Sequence, residues 1–268
     1  MKNMKIYIFG GTTEGRRLSI RLAESGAKVA VSVVSQYGAR QQGEHPGISL
    51  SVGPRTKDEM ANMIEGFDLV IDATHPYATE ASDNIRIAAD DVGVRRIRLR
   101  REEDRSKNGK YEEELNRTII WARDREEAAK LAMERASCKK RNILLTTGVR
   151  DLPYYCRALD KDLIYARVLP SDESIRVCLR EGIKSENIIA MQGPFSAQLN
   201  EALIRQFDIG ILITKESGKT GGFREKLQAC RICGIPAVVI SRPEEQGMTY
   251  EEVEAQCLKL IEEEKVAE

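Results

Sequence analysis

Residues 4–26 read MKIYIFGGTTEGRRLSIRLAESG. Apolar Ile6, Ile8 and Phe9 predict a buried strand over 5–9 that runs directly into Gly10-Gly11, and a helix over 14–25 follows. Gly26 stands where a helix-ending glycine belongs. Strand, glycine turn and helix together open a dinucleotide-binding βαβ unit. Gly10 and Gly15 keep the first and last glycines of G-x-G-x-x-G, which permit the tight turn and close helix–strand packing. Thr12 occupies the middle position, so Gly11, displaced by one residue, takes over the close approach to a pyrophosphate. The Thr12 and Thr13 hydroxyls add donors, and the free N–H groups of the helix start favour an anion. Gly10, Gly11, Thr12, Thr13, Glu14 and Gly15 are thus the first candidate cofactor-binding residues. The glycine spacing also matches a P-loop, but Arg16-Arg17 supplies neither the lysine nor the magnesium-binding hydroxyl of that motif. A glycine turn that merely joins strand to helix is the remaining alternative.

The second strand leads into the next question, the cofactor. In KVAVSVVSQYGAR, residues 28–40, no acid is placed to bind a ribose 2′-hydroxyl, and Glu44 is the first to appear. Ser32, Ser35 and Arg40 suit a 2′-phosphate instead. This favours NADPH and leaves NADH open.

Working outward, short apolar runs alternate with amphipathic stretches, the pattern of parallel sheets flanked by helices. Strands are expected at 5–9, 28–34, 48–52, 68–72 and 94–99, with helices at 14–25, 56–65 and 79–92. After residue 117 the theme resumes, with strands at 117–121, 142–146, 163–168, 187–191, 209–214 and 236–240. Helices there fit 124–136, 172–181, 196–206, 222–232 and 249–264. The charged stretch 101–117, with its Asn108-Gly109 turn signal, interrupts the pattern and reads as a linker. The expected fold class is α/β: a Rossmann-like domain over 1–100, a second α/β domain over 118–268, and a cleft between them.

Composition narrows the function. Lys plus Arg and Asp plus Glu are equal at 42 each, which argues against a nucleic-acid partner. Arg95, Arg96, Arg98, Arg100 and Arg101 alternate with Val94, Ile97 and Leu99 and read as a charge-protected edge strand. No apolar run approaches a membrane span, and the N-terminal stretch lacks a signal-peptide pattern, so a cytoplasmic protein is expected. The six cysteines read as free thiols, and Cys230-x-x-Cys233 as helix packing; no metal site is expected.

Several strands end in polar turns. DLVIDATHPYA, residues 68–78, delivers Thr74, His75 and Tyr77 at the carboxyl end of the strand beside the first. Ligands bind at that edge, and His75 can donate a proton or bind a carboxylate; it can equally hold a loop by backbone hydrogen bonds. NILLTTGVRDL ends in Thr147 and Arg150, and NIIAMQGPFS in Gly193 and Ser196, the latter placed as a helix N-cap. DIGILITKESGKTGGFREKL supplies Lys215, Ser217, Lys219 and Arg224. At one sheet edge these groups favour an anionic ligand.

GGTTEGRRL, DATHPYA, LLTTGVRDL, MQGPFS, TKESG and ISRPE, in this order from Ile6 to about Pro243, resemble the precorrin-6A reductase family of cobalamin biosynthesis. The family's opening motif usually has glycine at Thr13 and alanine at Gly15. The resemblance implies two Rossmann-like domains and an oxidoreductase acting on a CH–CH group. A nicotinamide cofactor, NADPH or NADH, would give hydride to the precorrin-6A or cobalt-precorrin-6A macrocycle, producing the 6B form. His75, Tyr77 and Lys215 are the candidate catalytic residues for the accompanying proton; Thr74 joins the cofactor set. Thr147, Arg150, Gly193, Ser196, Lys215, Ser217 and Lys219 are the candidates for a many-carboxylate tetrapyrrole. Any cobalt would belong to the macrocycle. A dinucleotide-sensing module without catalysis is the alternative, and the oligomeric state is left open.

Overall fold

The computed structural model describes residues 3–100, 117–136, 141–216, 221–243 and 246–266. All but the last residue of the linker expected over 101–117, the Cys138 thiol, and the candidates Ser217 and Lys219 lie outside them.

The chain divides into two units, residues 1–102 with 243–268, and residues 103–242. In the first, five parallel strands are β1 (Lys5–Phe9), β2 (Lys28–Val33), β3 (Ile48–Val52), β4 (Leu69–Asp72) and β5 (Arg96–Arg98). Their order is β3-β2-β1-β4-β5, so the direction of winding reverses between β1 and β4. Helices α1 (Thr13–Glu24), α2 (Gln36–Gln42), α3 (Lys57–Ile64) and α4 (Thr79–Val92) connect them. Both faces of β1 are covered, which is why it reads as a continuous apolar run. Ile6 and Ile8 join a core with Leu18 and Leu22 of α1, whereas Tyr7 and Phe9 pack with Met60 and Ile64 of α3 and Ile85 of α4. Each such buried side chain contributes about 1.5–3 kcal/mol.

The second unit holds β6 (Ile119–Ala122), β7 (Asn142–Leu145), β8 (Ile164–Val168), β9 (Ile188–Ala190), β10 (Ile209–Lys215) and β11 (Ala237–Ile240). All pair in parallel in the order β6-β11-β10-β7-β8-β9. Here the winding reverses between β7 and β10. The helices are α5 (Arg125–Ala136), α6 (Leu152–Ala158), α7 (Asp172–Arg180), α8 (Ala197–Gln206) and α9 (Phe223–Cys233). Leu227 and Cys230 of α9 and Ile204 of α8 share a core with Leu144 and Leu212. Cys230 and Cys233 are free thiols within α9.

One boundary differs from the sequence expectation. The second domain was expected to run to residue 268, but α10 (Tyr250–Val266) belongs with the first unit. Tyr250, Val253, Cys257 and Ile261 are buried in the core that contains Ile6, Ile8 and Leu18. A short parallel bridge between Leu99 and Met248 leads the chain there, and Arg21 pairs with Glu254 at 2.9 Å. The apolar stripe of α10 closes the first sheet's α1 face, a preference that a linear pass along the chain does not reveal.

Two short helices were absent from the sequence expectation. α2 carries Gly38 in its interior, and α6 carries Pro153 in its first turn, so neither shows a helical apolar period.

Candidate functional site

In the first unit the polar groups gather where β1 and β4 lie side by side, the reversal point at which open α/β sheets bind ligands. Thr12 caps α1: its Oγ1 accepts from the Gly15 N–H at 3.1 Å. The same hydroxyl donates to the Ala73 carbonyl at 3.0 Å and so ties the loop after β1 to the loop after β4. Its proton is therefore engaged within the fold, and Thr12 shapes the turn rather than adding the donor expected of its side chain. Gly11 has φ +128° and open space where a Cβ would stand, so the backbone here is bare to an approaching group. A Cβ on Gly15 would lie 2.7 Å from the Ala73 Cβ, so α1 sits tight on β4. Gly10 is as close-packed: its N–H donates to the Ser32 carbonyl at 2.8 Å, and a Cβ would lie 3.2 Å from Val31 Cγ1. Thr13 is exposed and Glu14 half-buried in the first turn of α1. These features fit a dinucleotide pyrophosphate: a bare glycine backbone at a helix N-terminus.

Around the end of β2, Ser32 is buried and Ser35 caps α2 by accepting from the Gly38 N–H at 3.2 Å. Ser35 keeps its own O–H to donate. Arg40 is exposed in the last turn of α2.

The group that organises the β4 loop is one the sequence reading passed over. Asp72 is fully buried. Its Oδ1 takes 2.6 Å and 2.8 Å hydrogen bonds from Arg98 Nη1 and Thr74 Oγ1, and its Oδ2 accepts from Ser82 and, at 3.4 Å, from Arg96. Arg98 also donates to Thr74 Oγ1 at 2.8 Å. Thr74 is thus bound into an ionic network that fixes the start of the Thr74–Tyr77 turn. The arginines of β5, read as edge-strand protection, supply its positive side. An Asp at a strand end followed two residues later by Thr was the available signal. His75 and Tyr77 are half-buried with stacked rings, centroids 5.6 Å apart. The Tyr77 N–H donates to His75 Nδ1 at 3.4 Å, so a neutral His75 carries its proton on Nε2.

In the second unit the reversal point between β7 and β10 is bridged by an ion pair. Lys215 Nζ, at the end of β10, lies 2.6 Å from Asp151 Oδ2, in the turn after β7. Arg125 Nη1 reaches Asp151 Oδ1 at 3.6 Å. Lys215, expected as an open cation, is therefore matched by a buried carboxylate that the sequence reading did not single out. Beneath lies Tyr155, whose hydroxyl is enclosed without a partner; burial and the Asp151 charge push its pKa up. The Thr147 hydroxyl is likewise enclosed without a partner. Arg150 is exposed in the turn, and Arg224 is exposed on α9. Ser196 is the N-cap of α8 as expected, accepting from the Leu199 N–H at 3.2 Å, and Gly193 precedes it in an exposed loop.

A second polar cluster lies on the α8–α9 side of the same sheet edge. Lys226 Nζ donates to Thr214 Oγ1 at 3.3 Å, and Arg167 Nη1 donates to Asn200 Oδ1 at 2.7 Å. The Arg167 guanidinium sits over the Phe195 ring, 4.6 Å from its centroid. Burial lowers the pKa of Arg167 to about 10, and burial reinforced by Arg167 lowers that of Lys226 to about 7.

Among the described residues no group of three or more His, Cys, Asp or Glu side chains could hold a metal ion. No helix there is long and apolar enough to cross a membrane.

Comparison with known proteins places this architecture. The sequence profile of precorrin-6x reductase CbiJ/CobK matches residues 5–259. A cobalt-precorrin-6A reductase of Priestia megaterium is 33% identical over 252 residues, covering 91% of this chain and 93% of that one. Its counterpart in Salmonella typhimurium (strain LT2) is 33% identical, covering 91% and 89%. A precorrin-6A reductase of Rhodococcus erythropolis is 29% identical, covering 89% of each chain. The solved structure of the CobK precorrin-6A reductase superposes with a TM-score of 0.68 at 22% identity, covering 96% of both chains, and shares the fold. Matched over nearly its whole length, this chain belongs to the precorrin-6x reductase family.

Proposed function

We propose that this chain reduces the precorrin-6A macrocycle, or its cobalt-containing form, to the 6B state in cobalamin biosynthesis, with NADPH as the preferred donor. A reduced nicotinamide, when bound, supplies the hydride. The observation that carries this reading is the Gly10–Thr12 turn: a bare Gly11 backbone at the start of α1, locked to β4 through the Thr12–Ala73 hydrogen bond. That turn holds a pyrophosphate by backbone N–H groups and the helix dipole. Ser35, with its free O–H, and the exposed Arg40 suit a 2′-phosphate, and no acid there selects a 2′-hydroxyl.

The remaining work belongs to this chain's side chains. Asp72, Arg98 and Thr74 hold the turn that presents His75 and Tyr77. His75 Nε2–H, the Tyr77 hydroxyl and the Lys215 ammonium are the groups for delivering a proton beside the reduced carbon. Asp151 orients the Lys215 ammonium. Arg150, Gly193 and Ser196 offer cationic, backbone and hydroxyl donors to the acid side chains of a tetrapyrrole, whereas the enclosed Thr147 hydroxyl does not. The macrocycle is itself the electron acceptor, so rate enhancement comes from orientation and charge placement.

The test mixes protein, cobalt-precorrin-6A and either NADPH or NADH under anaerobic conditions and follows nicotinamide absorbance. Oxidation faster with NADPH is expected. Nucleotide binding without oxidation above background would reduce the protein to a sensing module; faster turnover with NADH would reverse the cofactor assignment.

A further inference from the structure

Arg167 and Lys226 are two cations buried close together, and among the described residues neither forms an ion pair. Arg167 is 6% exposed and Lys226 7% exposed. Among the described residues neither has a carboxylate within ion-pair distance; Arg167 bonds to Asn200 and Lys226 to Thr214, both neutral. Glu225, next to Lys226 in sequence, favours the charged lysine from a distance but makes no ion pair with it, and its Oε2 is enclosed without a hydrogen-bond partner. Two like charges taken from water without a direct ion pair are costly, and folded proteins normally pair them. Only one of the five guanidinium N–H donors and one of the three ammonium N–H donors have partners. The other Arg167 nitrogens are not among the sealed, unpartnered polar atoms of the chain, so they remain within reach of a ligand.

Their position is equally pointed. Arg167 lies on β8, opposite Ile189 of β9, near the carboxyl end of the strand. Thr214, which receives Lys226, lies near the carboxyl end of β10, with β7 between the two strands. The cations therefore flank β7, one of the two strands between which the winding reverses. Phe195, under the Arg167 guanidinium, comes from the loop that leads into α8, and its backbone lies within 3.8 Å of where a Gly222 Cβ would stand, at the start of α9.

We propose that Arg167 and Lys226 form a receptor for one oxyanion of the bound ligands, a macrocycle carboxylate or a nucleotide phosphate. The identity of the ligand rests on the reductase reading; the receptor itself does not. Arg167 supplies a planar fork that suits a carboxylate or phosphate, and Lys226 a point charge. The charged and titratable groups around Lys226 are Arg167 from β8 and Glu225 and Cys230 from its own helix. With the receptor empty, burial and Arg167 hold the Lys226 pKa near 7. An arriving anion favours the charged lysine, so binding at slightly alkaline pH takes up a proton.

The test uses the full chain and two probes, inorganic phosphate and propane-1,2,3-tricarboxylate. Titration calorimetry in two buffers of different ionisation enthalpy reads affinity and proton uptake for the wild type, Lys226→Met and Arg167→Lys, with folding checked by circular dichroism. The wild type is expected to bind at least one probe with proton uptake. Lys226→Met should lose the uptake and weaken binding by about tenfold or more. Arg167→Lys, which keeps the charge but not the fork, serves if Lys226→Met does not fold, and should weaken binding as well. Steady-state kinetics then separates the sources. A raised KM for the macrocycle alone assigns the receptor to a carboxylate; a raised KM for the nucleotide alone assigns it to a phosphate. Failure of both probes to bind the wild type, or binding by folded variants equal to the wild type, overturns the receptor whether or not the enzyme reduces a macrocycle.

Discussion

Lys215 Nζ lies 2.6 Å from Asp151 Oδ2, and this ion pair joins the end of β10 to the turn after β7. The Asp151 carboxylate is nearly enclosed, and the Lys215 side chain keeps 22% of its surface. Partial exposure moderates the energy, so a double-mutant cycle with Asp151→Asn and Lys215→Met should return a coupling of about 1–2 kcal/mol in urea unfolding. Lys215→Met should also lower kcat more than it raises either KM if Lys215 delivers the proton. A rise in the macrocycle KM with kcat unchanged would make Lys215 a binding group instead.

Asp72 carries a heavier structural role. It is fully buried and holds Arg98, Thr74 and Ser82 together. Asp72→Asn removes the buried negative charge facing Arg98 and should cost about 3 kcal/mol, read as a lower urea midpoint at unchanged slope. Loss of stability below about 1 kcal/mol would show that solvent reaches Arg98 and compensates it.

Gly10→Val tests the nucleotide turn. Even a Cβ there would meet Val31 Cγ1 at 3.2 Å, and valine adds two methyl groups. The variant should lose the change in nicotinamide fluorescence on titration, while the second unit, residues 103–242, keeps its fold. Undiminished binding would place the pyrophosphate elsewhere.

The choice of nucleotide is tested at Arg40, exposed on α2, and at Ser35, the cap of that helix. Arg40→Ala should weaken NADPH about tenfold and leave NADH within about twofold, because only the 2′-phosphate meets the removed charge. Equal effects on both nucleotides would remove Arg40 from the site.

Lys226 gives a pH signature. Its folded value is about 7 against an ordinary 10.5. Below about 7 it is charged in both states and the burial penalty is fully present. Between about 7 and 10.5 the unfolded chain holds a proton that the folded chain has released, so stability from this group rises with pH. Other groups move the total curve; Cys230, pushed up to about 12 by burial, acts in the opposite sense. The difference isolates Lys226: the melting temperature of the wild type minus that of Lys226→Met should increase by at least about 2 °C from pH 7 to pH 10. A flat difference would show that Lys226 keeps its proton throughout.

The sheets were legible because their strands are buried on both faces and read as plain apolar runs between glycine and polar turns. The capping roles of Ser196 and the turn glycines followed from local chemistry. Asp72 and Asp151 were not legible, although both lie inside quoted motifs, because a buried carboxylate differs from a solvated one only through distant partners. Arg98 is 26 residues from Asp72, and Lys215 lies 64 residues beyond Asp151. Lys226 and Arg167 escaped for the same reason: in a linear reading each is one more charge on a helix or strand. The glycine turn after β1 stood out because its glycines act through their own backbone, and its partner Ala73 is too small to attract notice.

The return of α10 to the first sheet makes that unit discontinuous along the chain. A ribosome would release residues 103–242 as an uninterrupted block, while the earlier-made β1–β5 sheet still lacks the helix whose Val253, Cys257 and Ile261 complete its core with Ile6 and Ile8. The first unit is therefore begun first and finished last. During synthesis the part of its α1 face left to α10 stays uncovered longest, a transient apolar surface of the kind that invites aggregation.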